Sequence, residues 1–140
     1  KKYIIFDTAE VSLLQYYYLK NLNYDVGFNK SKYNIILVSN LKIFKSLISE
    51  FKNKKKFIIS NWALSELPLN LRKELNFLLF DAEKILISFQ SKFENINNVN
   101  YFNNLGKNID KTTIIPIKSI PFFYLDSYCI YSQGRQKLAG

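Results

Sequence analysis

Four short apolar runs, separated by three stretches of helical spacing, constrain this chain more than any other feature. Tyr3-Ile4-Ile5-Phe6, residues 33–38, Phe57-Ile58-Ile59 and Ile85-Leu86-Ile87 are β-prone, and each is too short to stand as a helix. Between them Val11, Leu14, Tyr18 and Leu22 keep helical spacing. So do Leu41, Phe44, Leu47, Ile48 and Phe51, and then Leu71, Leu75, Leu78, Leu79 and Ala82. Strands alternating with helices of about 10 to 15 residues predict parallel βαβ units with right-handed crossovers.

Local signals place the boundaries. Asp7-Thr8-Ala9-Glu10 is similar to a capping box and opens the first helix. Residues 23–32 read as a turn-rich connection around Gly27, and Ser39-Asn40 ends the second strand. Pro68 stands near the start of the third helix, where its missing N–H costs nothing. The Asn-rich stretch 91–110 reads as loop with one short helix. Residues 112–117 and 127–132 predict two last strands, antiparallel and joined through Pro116, Pro121 and Asp126. The pattern describes one α/β domain over 1–133, a mostly parallel sheet with a C-terminal antiparallel pair, and a polar tail at 134–140. At 140 residues and 48% hydrophobic content, such a domain can bury a core.

Composition removes several classes of chemistry. There is no histidine, so Ser-His-Asp and Cys-His nucleophile systems are absent from these residues, as are most zinc ligand sets, and no metal is expected. Cys129 stands alone, which excludes an intrachain disulfide and fits a reducing, cytoplasmic setting. No apolar run approaches the roughly 20 residues of a membrane span. Asp7 also breaks the N-terminal run too early for a secretory signal. The net charge of +9 raises nucleic acid as a partner. However, Lys54-Lys55-Lys56 is the one contiguous basic cluster, and just before a strand it reads as a solvated turn, so nucleic acid is not the expected partner. Methionine is missing, even at position 1, and a strand begins directly after Lys1-Lys2. This reads as a piece of a longer polypeptide, or as a chain whose selenomethionines go unwritten.

Two strand ends carry the candidate chemistry. Asp7 closes the first strand beside a helix N-terminus, where a carboxylate either caps the helix, worth about 1 kcal/mol, or accepts two hydrogen bonds from ribose hydroxyls. The third strand ends in Ser60-Asn61-Trp62-Ala63-Leu64-Ser65-Glu66-Leu67. Asn61 offers a donor and an acceptor at one tip. Trp62 either packs in the core or stacks on a sugar or adenine ring. Glu66 is the only acid of the run: either a helix-start acid favoured by the macrodipole, or a group that accepts a proton from an acceptor hydroxyl. Tyr16-Tyr17-Tyr18 sets rings on different helix faces, some for the core and others for a pocket border.

These two segments together, Ile4 to Val11 with Leu14-Gln15-Tyr16-Tyr17-Tyr18-Leu19, and Ser60 to Leu67, resemble the S-adenosylmethionine-dependent sugar O-methyltransferases. Ala9 departs from the family's proline before the glutamate. The resemblance spans roughly residues 3–133 and implies a Rossmann-like, doubly wound fold, with S-adenosylmethionine as cofactor and a sugar or glycan hydroxyl as acceptor. It also implies roles. Asp7 holds the ribose, Ser39 and Asn40 lie at the adenine, and Ser60, Asn61 and Trp62 face cofactor and acceptor. Asn61 and Glu66 serve the transfer, with Glu66 as base.

Such an enzyme needs a strand followed by a glycine-rich turn. Gly27, Gly106, Gly134 and Gly140 are the only glycines, and none lies between a predicted strand and a helix. In the family that strand runs between those carrying Asp7 and Asn61. The N-terminal remainder of the same polypeptide is therefore an expected partner, and homo-oligomer formation stays open. Two rival readings remain. One is a self-contained flavodoxin-like or receiver-like domain with Asp7 after its first strand; Lys118 would suit a receiver, but the additional acidic pair is missing. The other is a basic RNA-binding or RNA methyltransferase module, which predicts a contiguous Lys/Arg surface.

Overall fold

The structure is a computed structural model that describes residues 1–109, 112–117 and 127–132. It is a mixed α/β chain. Where the sequence pattern reads as one domain, the chain's contacts divide into two compact units, Lys1–Lys54 and Lys55–Gly140.

In the first unit, β1 (Tyr3–Phe6), β2 (Val26–Phe28) and β3 (Ile35–Val38) form a parallel sheet in the order β1-β3-β2. Ile36, Leu37 and Val38 are fully buried, as expected of the middle strand of a parallel sheet. The strand β2 lies inside the stretch that reads as a turn-rich connection. Three residues are too few to show a period, yet Val26 is buried and Gly27 pairs with Ile36. A side chain at Gly27 would run into the Tyr33 ring, so only glycine lets the two approach this closely.

Helix α1 (Ala9–Asn21) starts at Thr8, whose hydroxyl accepts from the Val11 N–H. The Val11, Leu14, Tyr18 and Leu22 spacing does mark a helix, but these side chains are exposed. The inner face is instead Ser12, buried, with Gln15, Tyr16 and Leu19 half-buried. Of the three tyrosines, Tyr16 packs against Phe28 at 4.9 Å between ring centroids, while Tyr17 and Tyr18 are exposed. Helix α2 (Leu41–Glu50) buries Phe44 and Leu47, and Phe44 stacks on Phe6 at 4.7 Å.

In the second unit, β4 (Phe57–Asn61), β5 (Lys84–Gln90), β8 (Thr112–Ile117) and β9 (Ser127–Ser132) form one sheet in the order β4-β5-β9-β8. The pair β4–β5 is parallel, and β9 runs antiparallel to both β5 and β8. The C-terminal antiparallel pair is thus present, with Pro116 inside β8 at a sheet edge, where a proline is tolerated. Helix α3 (Leu69–Asp81) buries Leu75, Leu78 and Leu79 and half-buries Leu71 and Ala82 follows it.

The Asn-rich stretch holds more structure than a loop. It contains a two-stranded hairpin of β6 (Lys92–Phe93) and β7 (Ile96–Asn97), then α4 (Asn98–Gly106), whose Phe102 stacks on Phe89 at 4.3 Å. The lysine cluster is not simply solvated either. Lys55 pairs with Glu83 at 3.0 Å, and Lys56, only 9% exposed, pairs with Asp81 at 2.7 Å. Lys118, Pro121, Asp126 and the polar tail lie outside the described residues.

Three parallel strands are bonded on a single side: β1 and β2 in the first unit, and β4 in the second. Tyr3 donates to Asn34, just before β3, and Asp7 to Val38 on β3, so the main-chain groups of Ile4 and Phe6 point to the other edge of β1. The Trp62 N–H donates to Ser88 on β5, which turns Phe57, Ile59 and Asn61 toward the outer edge of β4. Among the described residues no strand pairs with either edge. Tyr3, Phe57 and Ile59 on these strands are 58%, 59% and 63% exposed. Among the described residues no helix is long and apolar enough to cross a membrane.

Candidate functional site

Parallel pairing brings the first set of expected residues together. Phe6 lies opposite Val38, so Asp7 and Ser39 leave adjacent strands side by side, each at the start of a helix. The Asp7 carboxylate is held from two directions. Its Oδ1 accepts from the Thr8 N–H at 2.8 Å, and its Oδ2 accepts from Gln15 Nε2 at 3.3 Å. Each oxygen keeps lone-pair capacity, so a fixed carboxylate can still take two donors from a vicinal diol. Asn40 caps α2, with Oδ1 accepting from the N–H groups of Lys42 and Ile43 at 2.9 and 3.2 Å. Its exposed amide NH₂ remains as a donor beside Ser39. On the inner face of α1, Ser12 Oγ and Gln15 Oε1 are buried without a hydrogen-bond partner.

The second set gathers at the end of β4. Asn61 is the last residue of the strand, exposed, opposite Ser88. Trp62 is half-buried and turns the chain with φ at 60°, a left-handed conformation that is strained for a bulky side chain. That turn starts a short 3₁₀ segment (Ala63–Glu66), in which the Leu64 N–H donates to Ser60 Oγ at 3.0 Å. Ser60 is therefore a capping hydroxyl. Ser65 is fully buried; its N–H donates to the Trp62 carbonyl, and its Oγ lies 2.7 Å from that carbonyl and 2.8 Å from Gln90 Oε1. Glu66 is exposed, with Oε1 accepting from Gln90 Nε2 at 3.4 Å.

Beneath the turn lies a side chain that periodicity hides. Arg72 is fully buried, although its place on α3 reads as one polar residue among apolar ones. Its Nε donates to the Leu67 carbonyl at 2.7 Å, Nη1 to Asn98 Oδ1 at 2.7 Å, and Nη2 to the Ser65 carbonyl. Asn98 Nδ2 in turn donates to the Gln90 carbonyl at 2.9 Å. The guanidinium sits 5.1 Å from the Tyr101 ring centroid. Burial lowers the Arg72 pKa against a smaller opposing influence of Tyr101, and burial raises that of Tyr101. Among the described residues no carboxylate bonds to Arg72; main-chain carbonyls and one amide meet the charge. The Ser65–Leu67 backbone is in this way tied to α3, α4 and β5.

Gln90, Arg72 and Asn98 were not signalled by the motif. An arginine on an otherwise apolar helical face, three residues before Leu75, is the one sequence hint. On β9, Cys129 faces Ser88; burial raises its thiol pKa more than the Ser88 hydrogen bond lowers it, so it is a poor nucleophile. Among the described residues no cluster of three or more metal-ligating side chains forms. No family model, no curated protein and no solved structure matches the chain.

Proposed function

We propose that the chain is part of a Rossmann-like, S-adenosylmethionine-dependent O-methyltransferase acting on a sugar or glycan hydroxyl. The observation that carries this reading is that β1 and β4, the two strands leading into the candidate site residues, are among the one-sided strands. The strands that end in Asp7 and in Asn61 are both edges of parallel pairing, and both present apolar side chains to solvent. Exposed parallel edges are costly, because parallel sheets are normally covered on all sides. The reading supplies what the edges lack: a further strand, with a glycine-rich turn after it, from polypeptide outside these 140 residues. A self-contained flavodoxin-like domain fits less well, since its first strand lies inside the sheet and β1 is at an edge. Ion pairing of Lys55 and Lys56 likewise weakens the RNA-binding reading.

In this account Asp7 takes the ribose hydroxyls of the cofactor, with Ser39 and Asn40 toward the adenine. Ser60, as a cap, shapes the turn that presents Asn61 and Trp62. Asn61 holds the acceptor hydroxyl and Glu66 accepts its proton as the oxygen attacks the sulfonium methyl group. Orientation supplies much of the acceleration, up to about 7–11 kcal/mol in a well-aligned pair. The test is label transfer from methyl-labelled S-adenosylmethionine to a panel of saccharides by the full-length polypeptide. Transfer is expected, and Glu66→Gln should reduce it by about 10²–10⁴-fold. No transfer to any saccharide, or full activity in Glu66→Gln, contradicts the reading.

A further inference from the structure

The Ser65 hydroxyl has one hydrogen and two acceptors. It lies 2.7 Å from the Trp62 carbonyl and 2.8 Å from Gln90 Oε1, and with Ser65 fully buried no water relieves the conflict. With the hydrogen on Gln90 Oε1, the Gln90 NH₂ faces Glu66 and suits an ionised carboxylate, as the 3.4 Å contact to Glu66 Oε1 has it. The contact between Ser65 Oγ and the Trp62 carbonyl then holds no hydrogen. Turning the Gln90 amide by half a revolution resolves this. Its NH₂ donates to Ser65 Oγ, the Ser65 hydrogen goes to Trp62, and the Gln90 oxygen faces Glu66. That oxygen repels a carboxylate and accepts from a carboxylic acid.

We propose that Gln90 is a positioning residue for Glu66, an amide that turns with the protonation of that carboxyl and holds it in both states. Gln90 donates to Glu66 before proton transfer and accepts from it afterwards. The base therefore keeps its place while its charge changes, and no covalent bond forms or breaks in the turn. The catalytic meaning rests on reading Glu66 as the proton acceptor; the coupling itself does not. Among the described residues, the hairpin that follows Gln90 carries Lys92 and Glu94, both exposed. The strand β4 carries no charge, the charged residue of β5 is Lys84 at its opposite end, and Arg72 is already spent on Ser65, Leu67 and Asn98. On the neighbouring α3, Lys73 and Glu74 are exposed.

Nuclear magnetic resonance on the full chain tests the coupling. The carboxyl carbon of Glu66 and the side-chain NH₂ pair of Gln90 are followed between about pH 3 and 8. The Gln90 signals should shift with the same midpoint as Glu66, and should become independent of pH in Glu66→Gln. Gln90 signals that stay constant while Glu66 titrates would overturn the proposal. Failure of methyl transfer with the coupling intact would overturn the base role alone.

Discussion

Arg72 and Asn98 bond side chain to side chain at 2.7 Å, both with no solvent exposure, and so join α3 to the start of α4 beneath the Ser65–Leu67 turn. A buried cation held by neutral groups depends on every partner, since the lost solvation is returned by hydrogen bonds alone. Asn98→Ala leaves one guanidinium donor and the Gln90 carbonyl without their partner. It should lower the unfolding free energy by about 3 kcal/mol, read as a shift in denaturant midpoint. The exposed Asn103→Ala should change it by less than about 0.5 kcal/mol.

Tyr101 gives the same region a pH signature. Burial raises its phenol above the ordinary value of 10.0, against smaller opposing effects of Asn76 and Arg72. A raised acid holds its proton longer in the folded state than in the unfolded one. Its contribution is therefore complete below pH 10 and is lost as pH rises through the folded value. Tyr101→Phe should flatten the alkaline fall in stability, measured by chemical unfolding at a series of pH values; an identical alkaline limb would contradict the assignment.

The one-sided strands make opposite predictions in two contexts. Ile59 is 63% exposed on β4, and its main-chain groups point to the free edge. In these 140 residues by themselves, Ile59→Lys should change stability by less than about 0.5 kcal/mol and should reduce self-association in sedimentation, as edge lysines do. In the full-length polypeptide, where the account adds a strand along that edge, the same change should cost at least about 2 kcal/mol. A neutral effect in both contexts would mean that nothing covers β4.

Much of the fold was legible because it repeats. The apolar runs at β1, β3, β4 and β5 and the stripe of Phe44 and Leu47 follow from periodicity, and Asp7, Ser39, Asn61 and Glu66 fall at strand ends or just beyond them. What escaped was decided by tertiary packing. Three residues of β2 carry no period, and Gly27 looks like turn chemistry until Tyr33 is seen against it. On α1 the outer face is as apolar as the inner one, so the stripe through Leu14 and Tyr18 names a helix without naming its buried side. Arg72 and Asn98 are polar by type and buried by partnership. Each makes sense only once the other is in place, and a single sequence does not display that pairing.

The central claim is that Asp7 receives the ribose of S-adenosylmethionine. Calorimetric titration of S-adenosylhomocysteine into the full-length polypeptide tests it most directly. The account predicts saturable binding at one site, weakened about 10- to 100-fold in Asp7→Ala, the loss of hydrogen bonds to one charged group, and unchanged in Glu10→Ala. No binding to the parent protein, or equal affinities for the parent and Asp7→Ala, would contradict it.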